Sequence, residues 1–191
     1  MEKEELCFTQ FKTPLGSMIG VATAKGVCLL EFLDEQENNN SVAKLAKQIK
    51  AAISSANNPH LGQAQIELQE YFSVQRKTFS VALDPIGTPF QKQVWNALLQ
   101  IPFGETRSYH QQSVALGNPL SIRAVANANG KNNIAVIIPC HRVIGSNGKL
   151  TGYAGGIWRK KFLLQMESSK EEQLALNFDQ NNIHHRAMIN S

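Results

Sequence analysis

Apolar and polar residues alternate along Phe8-Thr-Gln-Phe-Lys-Thr13, the period of a strand half-buried in a sheet. Pro14-Leu-Gly16 predicts a turn, and Ser17–Thr23 and Val27–Leu33 predict two more strands joined at Lys25-Gly26. A polar loop follows over 35–40. Ser41 stands as the N-cap of a helix whose Val42, Leu45 and Ile49 share one face. Asn57-Asn-Pro59 breaks that helix, and Ile66, Leu68, Tyr71 and Phe72 mark another, to about Val74. Thr78–Leu83 reads as a strand, and Asp84-Pro85-Ile-Gly87 as a linker.

Beyond the linker the period becomes helical. Thr88 caps a helix with Pro89 at its first position and Phe90, Val94, Ala97, Leu98 and Ile101 as the buried stripe. Pro102-Phe-Gly104 ends it. Ser108 caps the next helix, which runs to about Leu116. Gly117 suits its C-terminus, while Asn118 and Pro119 predict the cap and first turn of a helix reaching about Asn129. Two short helices joined so tightly make a helix-turn-helix. Ile134–Ile138 reads as a short apolar strand, glycine-rich loops surround Gly145 to Gly156, and Ile157–Glu167 is a final helix. The pattern divides the chain into an α/β part over 1–85, a mainly α part over 86–168, and a polar tail over 169–191 expected to be mobile.

The 191 residues suffice for a sizeable core, and 42% hydrophobic with 18% charged residues is a globular composition. No apolar run is long enough to span a membrane, and the start Met1-Glu-Lys-Glu-Glu lacks a signal-like apolar stretch. Three cysteines without a CxxC pair exclude a four-cysteine zinc module and suit a reducing, cytoplasmic compartment. Cys7 and Cys28 read as small core residues.

The net charge of +4 conceals an asymmetry. Residues 1–85 carry 8 basic and 10 acidic side chains; residues 86–170 carry 10 basic and 2 acidic, Glu105 and Glu167. The second block suits a polyanion, although a solvated basic face reads equally well from charge alone. In the second helix of the pair, Ile122, Val125 and Ala126 face inward by spacing, while Ala124, Asn127 and Ala128 leave a lean surface that another backbone can approach. Arg123 is its only charge. A transcription factor places several long polar side chains there, so sequence-independent contact is the better reading.

The stretch Ile137-Ile-Pro-Cys-His-Arg-Val143 carries the chemistry. An apolar strand delivers Cys140 behind Pro139, and His141 and Arg142 follow as cationic neighbours that favour thiolate. Taken alone, the same residues also fit a buried thiol, a core histidine and a surface arginine. A cysteine hydrolase is disfavoured because adjacent Cys and His side chains do not readily form a direct dyad.

Pro139-Cys-His-Arg-Val143 closely resembles the acceptor motif of the O6-alkylguanine-DNA alkyltransferases, the methylated-DNA–protein-cysteine methyltransferases. The resemblance extends through Thr13-Pro-Leu-Gly16, Pro102-Phe-Gly104-Glu-Thr, Ser108-Tyr109, Gly117-Asn-Pro119, Arg123-Ala-Val125, Asn132 and Gly152-Tyr-Ala-Gly-Gly156, and stops near Ser168. It implies a ribonuclease-H-like first domain and a winged-helix-like second one. It also implies irreversible, single-turnover transfer of an alkyl group from O6 of guanine, or O4 of thymine, to the protein's own cysteine. No cofactor and no metal are expected. The implied partner is double-stranded DNA containing O6-alkylguanine, bound as a monomer through the minor groove, with the lesion flipped out.

In these terms Cys140 matches the acceptor, His141 the base acting through water, Glu167 the acid that orients it, and Asn132 the side chain that holds the turn. Tyr109 matches the tyrosine that turns out the nucleotide and donates to the purine. Arg123 matches the finger that fills the gap, and Tyr153 a pocket wall. The backbone at Cys140 and Val143 would read the guanine edge, with Ala124, Asn127 and Ala128 against the DNA. Ala154 stands where a serine occurs in other members, which removes a hydroxyl near O6. The alternative is a non-catalytic helix-turn-helix protein that senses damage or regulates.

Overall fold

The computed structural model describes residues 5–33, 41–54 and 56–168. The loop over 35–40 and the tail from 169 lie outside the described residues. The elements are β1 (Glu5–Thr13), β2 (Gly16–Ala22), β3 (Val27–Phe32), α1 (Ser41–Ile49), β4 (Ala52–Ser54), α2 (Pro59–Phe72), α3 (Pro89–Leu98), β5 (Arg107–Ser108), α4 (Tyr109–Ala115), α5 (Ile122–Gly130), β6 (Val143–Ile144) and α6 (Ile157–Ser168). A single 3-10 turn, Cys140–Arg142, precedes β6.

The three strands read from alternation form an antiparallel meander, and β4 adds in parallel to β1, giving the order β3-β2-β1-β4. Both faces of this sheet are covered. Leu6, Ile19, Val21 and Leu29 pack with Leu45 and Ala46 of α1. Phe11, Met18, Val27 and Leu30 pack with Leu61, Leu68 and Tyr71 of α2, in a core that continues into Val94, Trp95, Ile134, Ile138 and Leu163 of the helical half. Cys7 and Cys28 are buried in these two cores.

Several local expectations change. Asn57-Asn-Pro59 starts a helix rather than breaking one: Asn58 accepts from the His60 N–H at 2.9 Å, and Pro59 opens α2. The strand expected over Thr78–Leu83 is reduced to one bridge, Leu83 to Val27. Its donors are taken elsewhere, for the buried Glu67 carboxylate accepts the N–H groups of Ser80 (2.9 Å) and Val81 (3.2 Å). The strand over Ile134–Ile138 is likewise one bridge, Leu30 to Ile134, followed by tight turns. Val136 has φ +70°, in the left-handed region that a β-branched residue rarely occupies.

Thr88 and Ser108 cap α3 and α4 as expected, and each forms a capping box with the glutamine three residues on. Phe90 leaves the predicted α3 stripe and is 40% exposed; Trp95 takes its place, donating its indole N–H to the Ala128 carbonyl at 2.9 Å. α5 begins at Ile122, with Ser121 rather than Asn118 as N-cap. Asn118 instead opens a turn whose carbonyl accepts from the Ser121 N–H (3.0 Å) and hydroxyl (2.7 Å). Ile122 is 37% exposed, not inward, whereas Val125 is fully buried. Ala128 is buried too, which removes it from the surface predicted to face DNA.

The outer edge of β3 joins the two halves. Leu30 donates to the Asn133 carbonyl at 2.7 Å and accepts from the Ala135 N–H at 2.8 Å. The backbone leading to Cys140 is thus stitched to the sheet. No helix among the described residues is long and apolar enough to cross a membrane.

Candidate active site

Cys140 sits at the start of the 3-10 turn, half-buried, with its approach fixed by one side chain. Asn132 accepts from the Ile134 N–H at 3.0 Å through its carbonyl oxygen. Its amide donates to the Ile138 carbonyl at 2.8 Å and to the Cys140 sulfur at 3.2 Å. One buried asparagine therefore ties both ends of the bend around Val136 and touches the thiol. Burial pushes the Cys140 thiol up, against the Asn132 bond and the charge of Lys160.

His141 is completely buried and shares a hydrogen bond of 2.9 Å between Nε2 and Glu167 Oε1. Burial lowers its pKa, the Glu167 bond and charge oppose that, and the Arg142 and Lys160 charges add to it. A neutral imidazole donating from Nε2 to Glu167 leaves Nδ1 as a basic acceptor, and Nδ1 has no hydrogen-bond partner within the protein. Burial works against the Glu167 carboxylate, but bonds from His141 and Arg142, with their charges, hold it at about 2. A neutral thiol, a neutral base and a permanent carboxylate thus share one site.

Sequence reasoning placed Arg142 as a cation favouring thiolate. The structure commits it to Glu167 instead: Nε donates to Oε2 and Nη2 to Oε1, each at 2.9 Å. The cation acting on Cys140 is Lys160, which the sequence reading missed. Its side chain is fully buried on α6 and donates to the carbonyls of Val143 (2.6 Å) and Thr151 (2.8 Å), spanning the loop that closes the site. Burial lowers Lys160 to about 8, despite the opposing influence of Cys140. Its signal was present: Lys160, Leu163 and Glu167 follow i, i+3, i+7 spacing and share the buried face of α6. Tyr71 and the Gly104 N–H also donate to Glu167, at 2.5 and 3.2 Å, and neither was anticipated.

Tyr109, half-buried at the start of α4, donates its hydroxyl to the Thr151 carbonyl at 3.2 Å, on the same loop. Tyr153 stands edge-on to His141, with ring centroids 6.5 Å apart, and its buried hydroxyl has no hydrogen-bond partner. Val143 is buried, its carbonyl held by Lys160. Arg123, Ala124 and Asn127 are exposed on α5. The described residues therefore bring Cys140, His141, Glu167, Asn132 and Tyr153 together, with Tyr109 of α4 bonded to the adjoining loop. Arg123, Ala124 and Asn127 form a separate helix surface.

Residues 6–85 match the family model for the ribonuclease-like domain of 6-O-methylguanine DNA methyltransferase, and residues 89–169 match the model for its DNA binding domain. A methylated-DNA–protein-cysteine methyltransferase of Methanosarcina acetivorans is 44% identical over 160 residues, 83% of this chain and 96% of the relative. The constitutive methylated-DNA–protein-cysteine methyltransferase of Bacillus subtilis is 42% identical over 161 residues, 84% of this chain and 94% of its own. A crystal structure of Mycobacterium tuberculosis OGT in complex with DNA superposes with a TM-score of 0.73 at 39% identity, covering 90% of this chain and 99% of that one.

Proposed function

The chain belongs to the 6-O-methylguanine DNA methyltransferase family, and from that membership we propose that Cys140 is the acceptor of the alkyl group. The protein is a methylated-DNA–protein-cysteine methyltransferase, which repairs DNA by direct reversal. A non-catalytic damage sensor is not favoured, since such a protein has no use for an oriented thiol beside a Glu–His pair.

The observation that carries the assignment is the bond from His141 Nε2 to Glu167 Oε1, directly after Cys140 in the chain. Glu167 holds the imidazole with Nδ1 as the basic atom. Through one bridging water, Nδ1 draws the proton from the Cys140 thiol. The thiolate sulfur forms a bond to the alkyl carbon as the carbon–O6 bond breaks. The electrons left on O6 delocalise into the purine, which takes a proton at a ring nitrogen from Tyr109, and the proton gathered by His141 passes to solvent as Tyr109 regains one from it. Restored guanine departs and S-alkylcysteine remains, so each molecule acts once. Asn132 holds the sulfur at its attack position, the near-attack placement that removes much of the entropic barrier.

The substrate in this reading is double-stranded DNA carrying O6-alkylguanine, bound as a monomer in the minor groove, with the base flipped into the pocket. Arg123 enters the stack in its place, and Ala124 and Asn127 let α5 approach the backbones. The Val143 carbonyl accepts from Lys160 and keeps a second lone pair for the guanine edge. Tyr153 walls the pocket. We place the domain division at 85/86, read the first half as ribonuclease-H-like, and read the second as winged-helix-like around α4 and α5. A reducing cytoplasm keeps the thiol ready.

The test is incubation with duplex DNA bearing a single O6-methylguanine, followed by peptide mapping. One methyl on Cys140, unmodified guanine in the DNA, and no transfer by Cys140→Ser are expected. Transfer by that variant, or a methyl on another residue, overturns the assignment.

A further inference from the structure

Tyr71 lies in the last turn of α2, a helix of the sheet unit, 96 residues from Glu167 in the chain. Its ring is completely buried, edge-on to Phe72 and Phe103 and tilted against Phe79. Its hydroxyl donates to Glu167 Oε1 at 2.5 Å, the oxygen that also takes His141 Nε2.

A buried phenol needs an acceptor, and a structural role would stop there. The geometry goes further, because the carboxylate does not need Tyr71 to stay in place. Arg142 grips both of its oxygens, and the Gly104 N–H holds Oε2. Oε1 therefore receives three donors: Tyr71, His141 and Arg142. Donors on one oxygen share its charge, so each weakens its hold on the others.

We infer that Tyr71 is a positioning residue for the Cys140 relay: from the ribonuclease-like domain it competes with His141 for Glu167 Oε1, and so sets how strongly the carboxylate holds the imidazole. The inference rests on the acceptor reading above. The other charged or titratable groups facing this cluster are Arg142 and Cys140 from the 3-10 turn, Lys160 from α6 and Tyr153 from the closing loop. Removing the phenol concentrates charge on Oε1 and stabilises imidazolium, so His141 stays protonated to higher pH. A side chain of the first domain thereby tunes a base in the second.

The experiment is single-turnover transfer by Tyr71→Phe across pH, on a duplex bearing O6-methylguanine and on free O6-benzylguanine, with His141 ring titration followed by NMR. The acid limb of the rate is expected to move to higher pH by about half a unit, equally on both substrates, with the His141 titration moving alike. Incorporation of 3-fluorotyrosine at position 71, a stronger donor of the same shape, should move both the other way. A limb and a titration that stay in place overturn the inference, even where rate or Tm falls, because a structural role scales the profile without displacing it. If Tyr71→Phe does not fold, the fluorinated protein decides alone. If the unsubstituted protein places no methyl on Cys140, the acceptor reading fails, and the ring titration still decides whether Tyr71 sets the basicity of His141.

Discussion

Arg142 meets Glu167 edge-on, with Nε on Oε2 and Nη2 on Oε1 at 2.9 Å each, while its remaining Nη1 donates to the Ile101 carbonyl at 2.6 Å. Both side chains are buried. Arg142 thus fixes the carboxylate that bonds His141, and it does so while tying the 3-10 turn to α6 and to the segment after α3.

Truncating one partner of such a pair leaves the other charge buried and alone. Arg142→Ala should destabilise the protein by about 3–5 kcal/mol, read as a large fall in Tm or denaturant midpoint. Arg142→Lys should recover little of this, since an ammonium cannot supply the parallel bonds. Full recovery by lysine would show that only charge matters there.

The ordinary value for Glu167 is 4.5, and in the folded protein it lies at about 2. Its contribution is therefore complete above about pH 4.5 and lost as pH falls from there through about 2. The difference corresponds to about 3 kcal/mol. Acid unfolding of Glu167→Gln should be less steep in that window, with a remainder from Glu67, also lowered. Superimposable acid transitions for the two proteins would contradict the assignment.

Asn132 satisfies the buried Ile134 N–H and Ile138 carbonyl and touches Cys140. Asn132→Ala should cost about 2–3 kcal/mol through the groups it strands. It should also slow transfer from duplex DNA and from a free alkylguanine alike, because the misplaced atom is the proposed nucleophile. A loss confined to duplex DNA would assign Asn132 to DNA contact instead.

Arg123 is exposed at the start of α5, away from the thiol network. Arg123→Ala should reduce transfer from duplex DNA at least tenfold, an order of magnitude set by loss of the group proposed to replace a flipped base. Transfer from free O6-benzylguanine should be unchanged within twofold, near the scatter of such comparisons. Equal losses on both substrates would remove the finger role.

Much of this protein is legible along the chain, because the signals are local. Strand alternation over Phe8–Leu33, the capping residues Thr88 and Ser108, and the Pro139-Cys-His-Arg-Val143 run depend on neighbours a few residues away. Three of the misreadings share one cause, distant partners overriding local preference. Glu67 takes the donors that would have made Thr78–Leu83 a strand, Trp95 displaces Phe90 from the α3 stripe, and the edge of β3 captures Ile134. Within the site, Cys140, His141 and Glu167 were readable as residue types, but their electrostatics were not. Whether Arg142 serves the thiol or the carboxylate, whether Lys160 is solvated or clamps two carbonyls, and whether Tyr71 reaches the relay at all depend on side chains brought together across 25, 17 and 96 residues. The chain by itself determined which groups are available and the local bends that present them. Only the tertiary structure decided which buried charge faces which donor, because burial strengthens those pairings and they exist only once the sheet and the helices have packed into one core.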